Sequence, residues 1–182
     1  MFAAFLTYCC MYAFRKPFTA ASYDSLYLWG IDYKIVLIIT QVMGYMLSKF
    51  IGIKVVSEMT PAARIRSILM LIGISWLALL AFGFIPHPYN FVALFFNGLP
   101  LGMIWGIVFS FLEGRRFTEL LGAGMSASFI VSSGFVKAVG KILMDSYGVS
   151  AFWMLFFTGL LVVPPFFLGV WLLSQIPPPQ SG

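Results

Sequence analysis

The chain has 182 residues, of which 61% are hydrophobic and 9% charged, with a formal net charge of +5. Soluble domains carry about 25% charged residues, so this composition excludes a soluble globular protein and predicts an integral membrane protein. On such a chain the positive charge bears on which loops are basic, and no nucleic-acid partner is expected.

Six apolar blocks follow in chain order, at 2–23, 34–55, 65–85, 91–112, 120–144 and 151–173. Each is long enough to cross a hydrocarbon slab of ~30 Å as a helix rising ~1.5 Å per residue. The predicted fold class is therefore all-α, a polytopic bundle of six transmembrane helices. In the first block the uninterrupted apolar run, 2–14, is too short to span, since ~17–25 residues are needed. The span is expected to continue through 17–23 and to carry Arg15 and Lys16 with it, Arg15 lying ~20 Å along the helix. A charge at that depth costs from a few to more than about ten kcal/mol unless it faces water, an anion or a partner. Arg15 is thus the first functional candidate. Cys9 and Cys10 are expected to be packing residues, because no other thiol is present for redox or metal chemistry.

The second block carries Gln41, Tyr45 and Lys49 at i, i+4 and i+8, one face of a helix. The fourth carries Gly98, Gly102 and Gly106 in a strip that lets helices approach closely. Ser126, Ser133, Lys137 and Lys141 form a polar stripe on the fifth, and Pro164-Pro165 is expected to kink the sixth. Short connections make consecutive helices antiparallel neighbours. The second and fourth connections hold Lys54, Arg64, Arg66, Arg115 and Arg116, whereas the odd-numbered ones hold Lys34, with Lys141 nearby. The basic excess puts the even connections and both chain ends in the cytoplasm. Reading Arg15 and Lys16 as flank charges of a truncated first helix would invert that topology and leave the basic connections outside. His87, between two prolines, reads as an outer-turn residue. The domain organisation is a six-helix transmembrane domain over 1–175, then a Pro-rich start of a cytoplasmic linker at 176–182.

The intramembrane charges are all positive: Arg15, Lys16, Lys49, Lys137 and Lys141, the last expected to snorkel outward. Every acid, Asp24, Asp32, Glu58, Glu113, Glu119 and Asp145, falls at a span end or in a connection. The missing counter-charge lies outside the chain or is the ligand. Tyr8, Tyr12, Arg15 and Thr19 recur on one face of the first helix, so three polar stripes are expected to line one wet path. Arginine offers a fork for two anion oxygens, lysine a point charge, and tyrosine and glutamine orient the remainder. No catalytic motif, metal-ligand cluster or cofactor motif is present, so an enzyme is not expected.

The six-helix pattern with basic inner connections resembles one half of a major facilitator superfamily transporter. Tyr12-Ala13-Phe14-Arg15-Lys16-Pro17-Phe18 is similar to a first-helix segment of the organophosphate:phosphate antiporters, and Tyr45-Met46-Leu47-Ser48-Lys49-Phe50 to a second-helix segment. Asn97-Gly98 through Trp105 resembles their glycine-rich fourth helix. The resemblance points to a bacterial branch of the superfamily and implies pocket roles for Arg15, Lys16 and Lys49. Beside these, Lys137, Tyr12, Gln41 and Tyr45 complete the expected substrate site. Lys137 stands one turn beyond 130–133, where the family's pocket histidine is missing. Glu58, Arg64, Arg115 and Arg116 are expected in cytoplasmic gating loops, although the superfamily's second-loop signature is altered, with Met59 where a basic residue belongs.

The expected function is secondary transport of a small organic anion, phosphorylated or carboxylated, by alternating access in a bacterial cytoplasmic membrane. The partners implied are that anionic solute, the lipid bilayer and a second six-helix half, either the remainder of a longer chain or a second copy. The alternatives are a proton-coupled exporter of another substrate class, which needs an intramembrane acid, and a non-transporting membrane scaffold or sensor, in which Arg15 and Lys49 pair with acids of a partner helix.

Overall fold

The computed structural model describes residues 2–86, 89–111 and 118–175. It is an all-α bundle of six helices: α1 (Phe2–Arg15), α2 (Tyr33–Ser57), α3 (Pro61–Phe84), α4 (Phe91–Ser110), α5 (Thr118–Tyr147) and α6 (Met154–Ser174). Each of α2 to α6 is long and apolar enough to cross a membrane, and the protein is an integral membrane protein. Asp32 starts α2 by accepting a hydrogen bond from the Lys34 amide; Thr60 does the same for α3 from Ala63, with Pro61 opening the helix.

The first span departs from the expected single helix. α1 stops at Arg15 after 14 residues, Lys16 bends, and Pro17–Ala20 forms a 3-10 turn. Pro17 is the cause, since it brings no N–H to continue the helical ladder. At ~1.5 and ~2.0 Å per residue the two pieces together still reach roughly 29 Å. The two pieces form a broken helix, with Arg15 at the break.

The connection before α2 is also more structured than expected. Tyr27–Leu28 pairs antiparallel with Ile31–Asp32, labelled β1 and β2. Trp29 and Gly30 between them both have positive φ, 53° and 76°, the backbone that a tight two-residue hairpin requires. α6 runs on through Pro164 and Pro165 as one helix. Residues 112–117, His87 and the 176–182 segment lie outside the described residues.

α4 packs on α2 and α3, while α1 is set among α3, α4, α5 and α6. The expected glycine strip is where α2 and α4 meet. A Cβ on Gly98 or Gly102 would collide with the Gln41 or Tyr45 carbonyl, and one on Gly44 with that of Phe95. Only glycine permits this backbone contact. α2 and α5 share no extensive packing; Tyr45 of α2 approaches Arg15, and Phe129 of α5 approaches Tyr8 and Tyr12.

Candidate functional site

Where α1 breaks, its last carbonyls lose their helical partners and need others. Two side-chain amides supply them. Gln41 Nε2 donates to the Arg15 carbonyl at 2.8 Å, and Asn97 Nδ2 donates to the Phe14 carbonyl at 3.0 Å. Gln41 Nε2 also reaches Asn97 Oδ1 at 2.9 Å, and Asn97 Nδ2 reaches Ser75 Oγ at 2.7 Å. This buried network joins α1, α2, α3 and α4 and holds the backbone of Arg15 in place. Gln41 is only 2% exposed, so its amide is committed to positioning rather than facing the open side. Asn97, fully buried, was not among the expected site residues. Its one signal in the sequence is an amide in the middle of an apolar helix, a costly placement that marks function or structure.

The side chain of Arg15 is half-buried. Its guanidinium carbon stands 4.0 Å from the centre of the Tyr45 ring, and the Lys49 ammonium lies 4.8 Å from the same ring and 5.4 Å from that of Trp105. Those two distances to one ring leave Arg15 and Lys49 no more than about 9 Å apart. At an effective dielectric of ~20 their repulsion is about 2 kcal/mol at that largest separation and more at any shorter one, less where water enters, and an anion between them reverses its sign. Cation–π contact with Tyr45 offsets part of it.

Tyr8 and Tyr12 continue this face of α1. Both rings meet the edge of Phe129 from α5, at 4.8 and 5.4 Å between centres. Tyr8 and Tyr12 lie within electrostatic reach of both Arg15 and Tyr45. One buried donor here, Arg15 Nε, has no hydrogen-bond partner within the described protein, while the buried Tyr8 hydroxyl lies beside that of Tyr45. A buried donor is costly to leave unpaired, and Arg15 Nε calls for an acceptor oxygen.

The structure therefore brings together Tyr12, Arg15, Tyr45 and Lys49. Lys16 is half-buried and within electrostatic range of Arg15 and Lys137. Lys137 itself is exposed on α5, as are Ser126 and Lys141, while Ser133 is half-buried. The buried serines of that helix are Ser128 and Ser132, which sit on its packed face. No acid pairs with Arg15, Lys16, Lys49 or Lys137 among the described residues. Of the expected gating residues, Glu58 is exposed at the end of α2 and Arg64 is half-buried in the first turn of α3. Arg115 and Arg116 lie outside the described residues. No cluster of three metal-binding side chains occurs among the described residues.

Fold and site together define a polytopic helical membrane protein with a cluster of cations and aromatic rings at a broken helix. The profile of a family of unknown function, DUF5690, matches residues 17–182, and the chain belongs to that family. No curated protein and no solved structure matches it.

Proposed function

We propose that the protein is a secondary transporter of a small organic anion, of phosphate or carboxylate type, working by alternating access with the architecture of a major facilitator half. The observation that carries this is the cluster of cations at the break in α1. Arg15 and Lys49 share one aromatic ring without an acidic partner among the described residues, and Arg15 Nε is buried and unpaired. An anion's oxygens satisfy charge and hydrogen bonds at once. In this scheme Arg15 is the principal ligand, Lys49 adds charge, Tyr12 and Tyr45 orient the solute, and Gln41 positions Arg15. Lys16 and Lys137 add positive potential at the rim.

A helix broken within the membrane beside a polar site is a recurrent way of building transporter pockets. The second wall of the path comes from a further six-helix unit, of a longer chain or of a second copy. The orientation is that of a bacterial cytoplasmic membrane with the 58–60 turn on the cytoplasmic side, as the basic residues Lys54, Arg64 and Arg66 near it favour.

The test is exchange of labelled organic anions by the full-length protein in proteoliposomes, preceded by a thermal-shift screen against sugar phosphates, dicarboxylates and organic cations. Stabilisation by one anion class and not by cations is expected. Arg15→Ala should abolish exchange while the protein still inserts. Unchanged exchange by that variant removes Arg15 from the mechanism, and stabilisation by cations alone points to another substrate class.

A further inference from the structure

A cleft lies at one end of the α2–α4 contact. The two helices touch through Gly44, Gly98 and Gly102, then diverge: a Cβ on Gly52 would meet Met103 only at 3.5 Å, and one on Gly106 would meet Val56 at 3.7 Å. The divergence opens a cleft of about 660 Å³. Its walls are mostly apolar, with Ile53, Val56 and Met103 between bare glycine backbone. Its mouth is formed by Ser57 and Ser110, the last residues of α2 and α4, and by Arg64 from the start of α3. These positions are where three membrane-crossing helices end, at headgroup depth.

Arg64 is only partly engaged there. Its NH1 donates to the Ser110 carbonyl at 3.4 Å and its guanidinium carbon lies 5.9 Å from the Phe111 ring centre, while Nε is buried with no partner. No acidic residue lines the cleft among the described residues. Lys49 closes the inner end, with its ammonium over the Tyr45 and Trp105 rings, where π-faces already meet its charge. Ile53 is 73% exposed, so the cleft opens sideways to the bilayer as well as to its surface.

We propose that this cleft binds an anionic phospholipid from the leaflet at which the 58–60 turn emerges. The lipid phosphate accepts hydrogen bonds from Arg64 at the mouth, and an acyl chain lies along Ile53, Val56 and Met103. A basic pocket between transmembrane helices, at headgroup depth and with an apolar wall, suits an anionic lipid headgroup and its chain together. A free phosphate would match only the mouth and leave the apolar wall wet. Lys49 is shared with the Arg15 cluster, but the lipid assignment rests on Arg64 and the apolar wall and does not depend on anion transport.

The experiment is native mass spectrometry of the full-length protein, delipidated in detergent and offered phosphatidylglycerol, phosphatidylcholine of the same chains, or inorganic phosphate. Phosphatidylglycerol should be retained about ten-fold over phosphatidylcholine, the worth of one charged contact. Arg64→Gln should erase that preference and Arg64→Lys should keep part of it. Gly106→Leu changes no charge but fills the cleft, and should lower phosphatidylglycerol retention as well; it decides the matter if Arg64→Gln does not fold. Equal retention of both lipids by the wild type, or unchanged preference in a folded Arg64→Gln, overturns the assignment. Displacement of phosphatidylglycerol by millimolar inorganic phosphate overturns it too, in favour of a dissolved anion.

Discussion

Tyr45 holds Arg15 and Lys49 on a single ring, at 4.0 and 4.8 Å. The attraction comes from the ring face and not from the hydroxyl, and each such contact contributes about 0.5–2 kcal/mol depending on how dry the site is. Tyr45→Phe keeps the face, so anion affinity measured by ligand-induced thermal shift should stay within about two-fold. Tyr45→Leu removes it, frees both cations to swing apart, and should weaken binding roughly 2- to 30-fold. Equal losses in the two variants would instead assign the effect to the hydroxyl. At this scale the sequence was informative about Arg15, Tyr12, Tyr45 and Lys49, because helical spacing alone lines up charges that have no business in hydrocarbon. Gln41 shares the stripe of Tyr45 and Lys49, yet its amide turns to the Arg15 carbonyl, and no pattern of side chains reveals a backbone partner. Asn97 was passed over for the same reason: its task is to meet a carbonyl that exists only because α1 stops where it does.

The break in α1 is the element on which the site depends. Pro17 announces a helix end, but the distance that the chain must cross argues for continuity, and only the packed structure shows how both demands are met. The Phe14 and Arg15 carbonyls are covered by amides from α4 and α2. Asn97→Ala uncovers the Phe14 carbonyl and takes the acceptor from one Gln41 Nε2 hydrogen, the other staying on the Arg15 carbonyl; each buried group left unpaired is worth about 1–3 kcal/mol. The variant should melt well below the wild type in detergent and lose anion-dependent stabilisation with it. A melting temperature unchanged by Asn97→Ala would mean that the carbonyl has found water. The α2–α4 contact makes a complementary case. Gly98→Val puts atoms into the Gln41 carbonyl and should destabilise severely, whereas Gly134→Ala on α5, with nothing within 4 Å of the new Cβ, should be neutral or gain up to about 1 kcal/mol of helix propensity. The glycine strip was legible as a packing face. Its partners, and the divergence beyond Gly102, were not, because a strip of small residues does not say where the crossing ends.

At the scale of the whole molecule, the surface resolves into faces that hydrocarbon can cover and faces that it cannot. α2 and α5 each expose a lysine, Lys49 and Lys137, on a helix otherwise studded with exposed apolar side chains. A lysine ammonium in the bilayer core costs several kcal/mol, whereas the exposed Val131 and Phe135 of α5 suit lipid. At 100° per residue, Ser126, Ile130, Ser133 and Lys137 share one face of α5, and Val131, Phe135 and Ile142 lie on another. If the lysine face borders a wet path shared with a second helical unit, single cysteines along α5 will report it. Ser133→Cys and Lys137→Cys should react with a hydrophilic thiol reagent in intact membranes, and a transported anion should slow both. Val131→Cys and Phe135→Cys should react at the wild-type background set by Cys9 and Cys10, one half-buried and the other buried. The helical period of the reactivity is the deciding readout, since uniform labelling means a loosened helix and uniform silence means that lipid covers both faces. In the second outcome Lys137 must snorkel, and the cationic path shrinks to Arg15, Lys16 and Lys49 on α1 and α2.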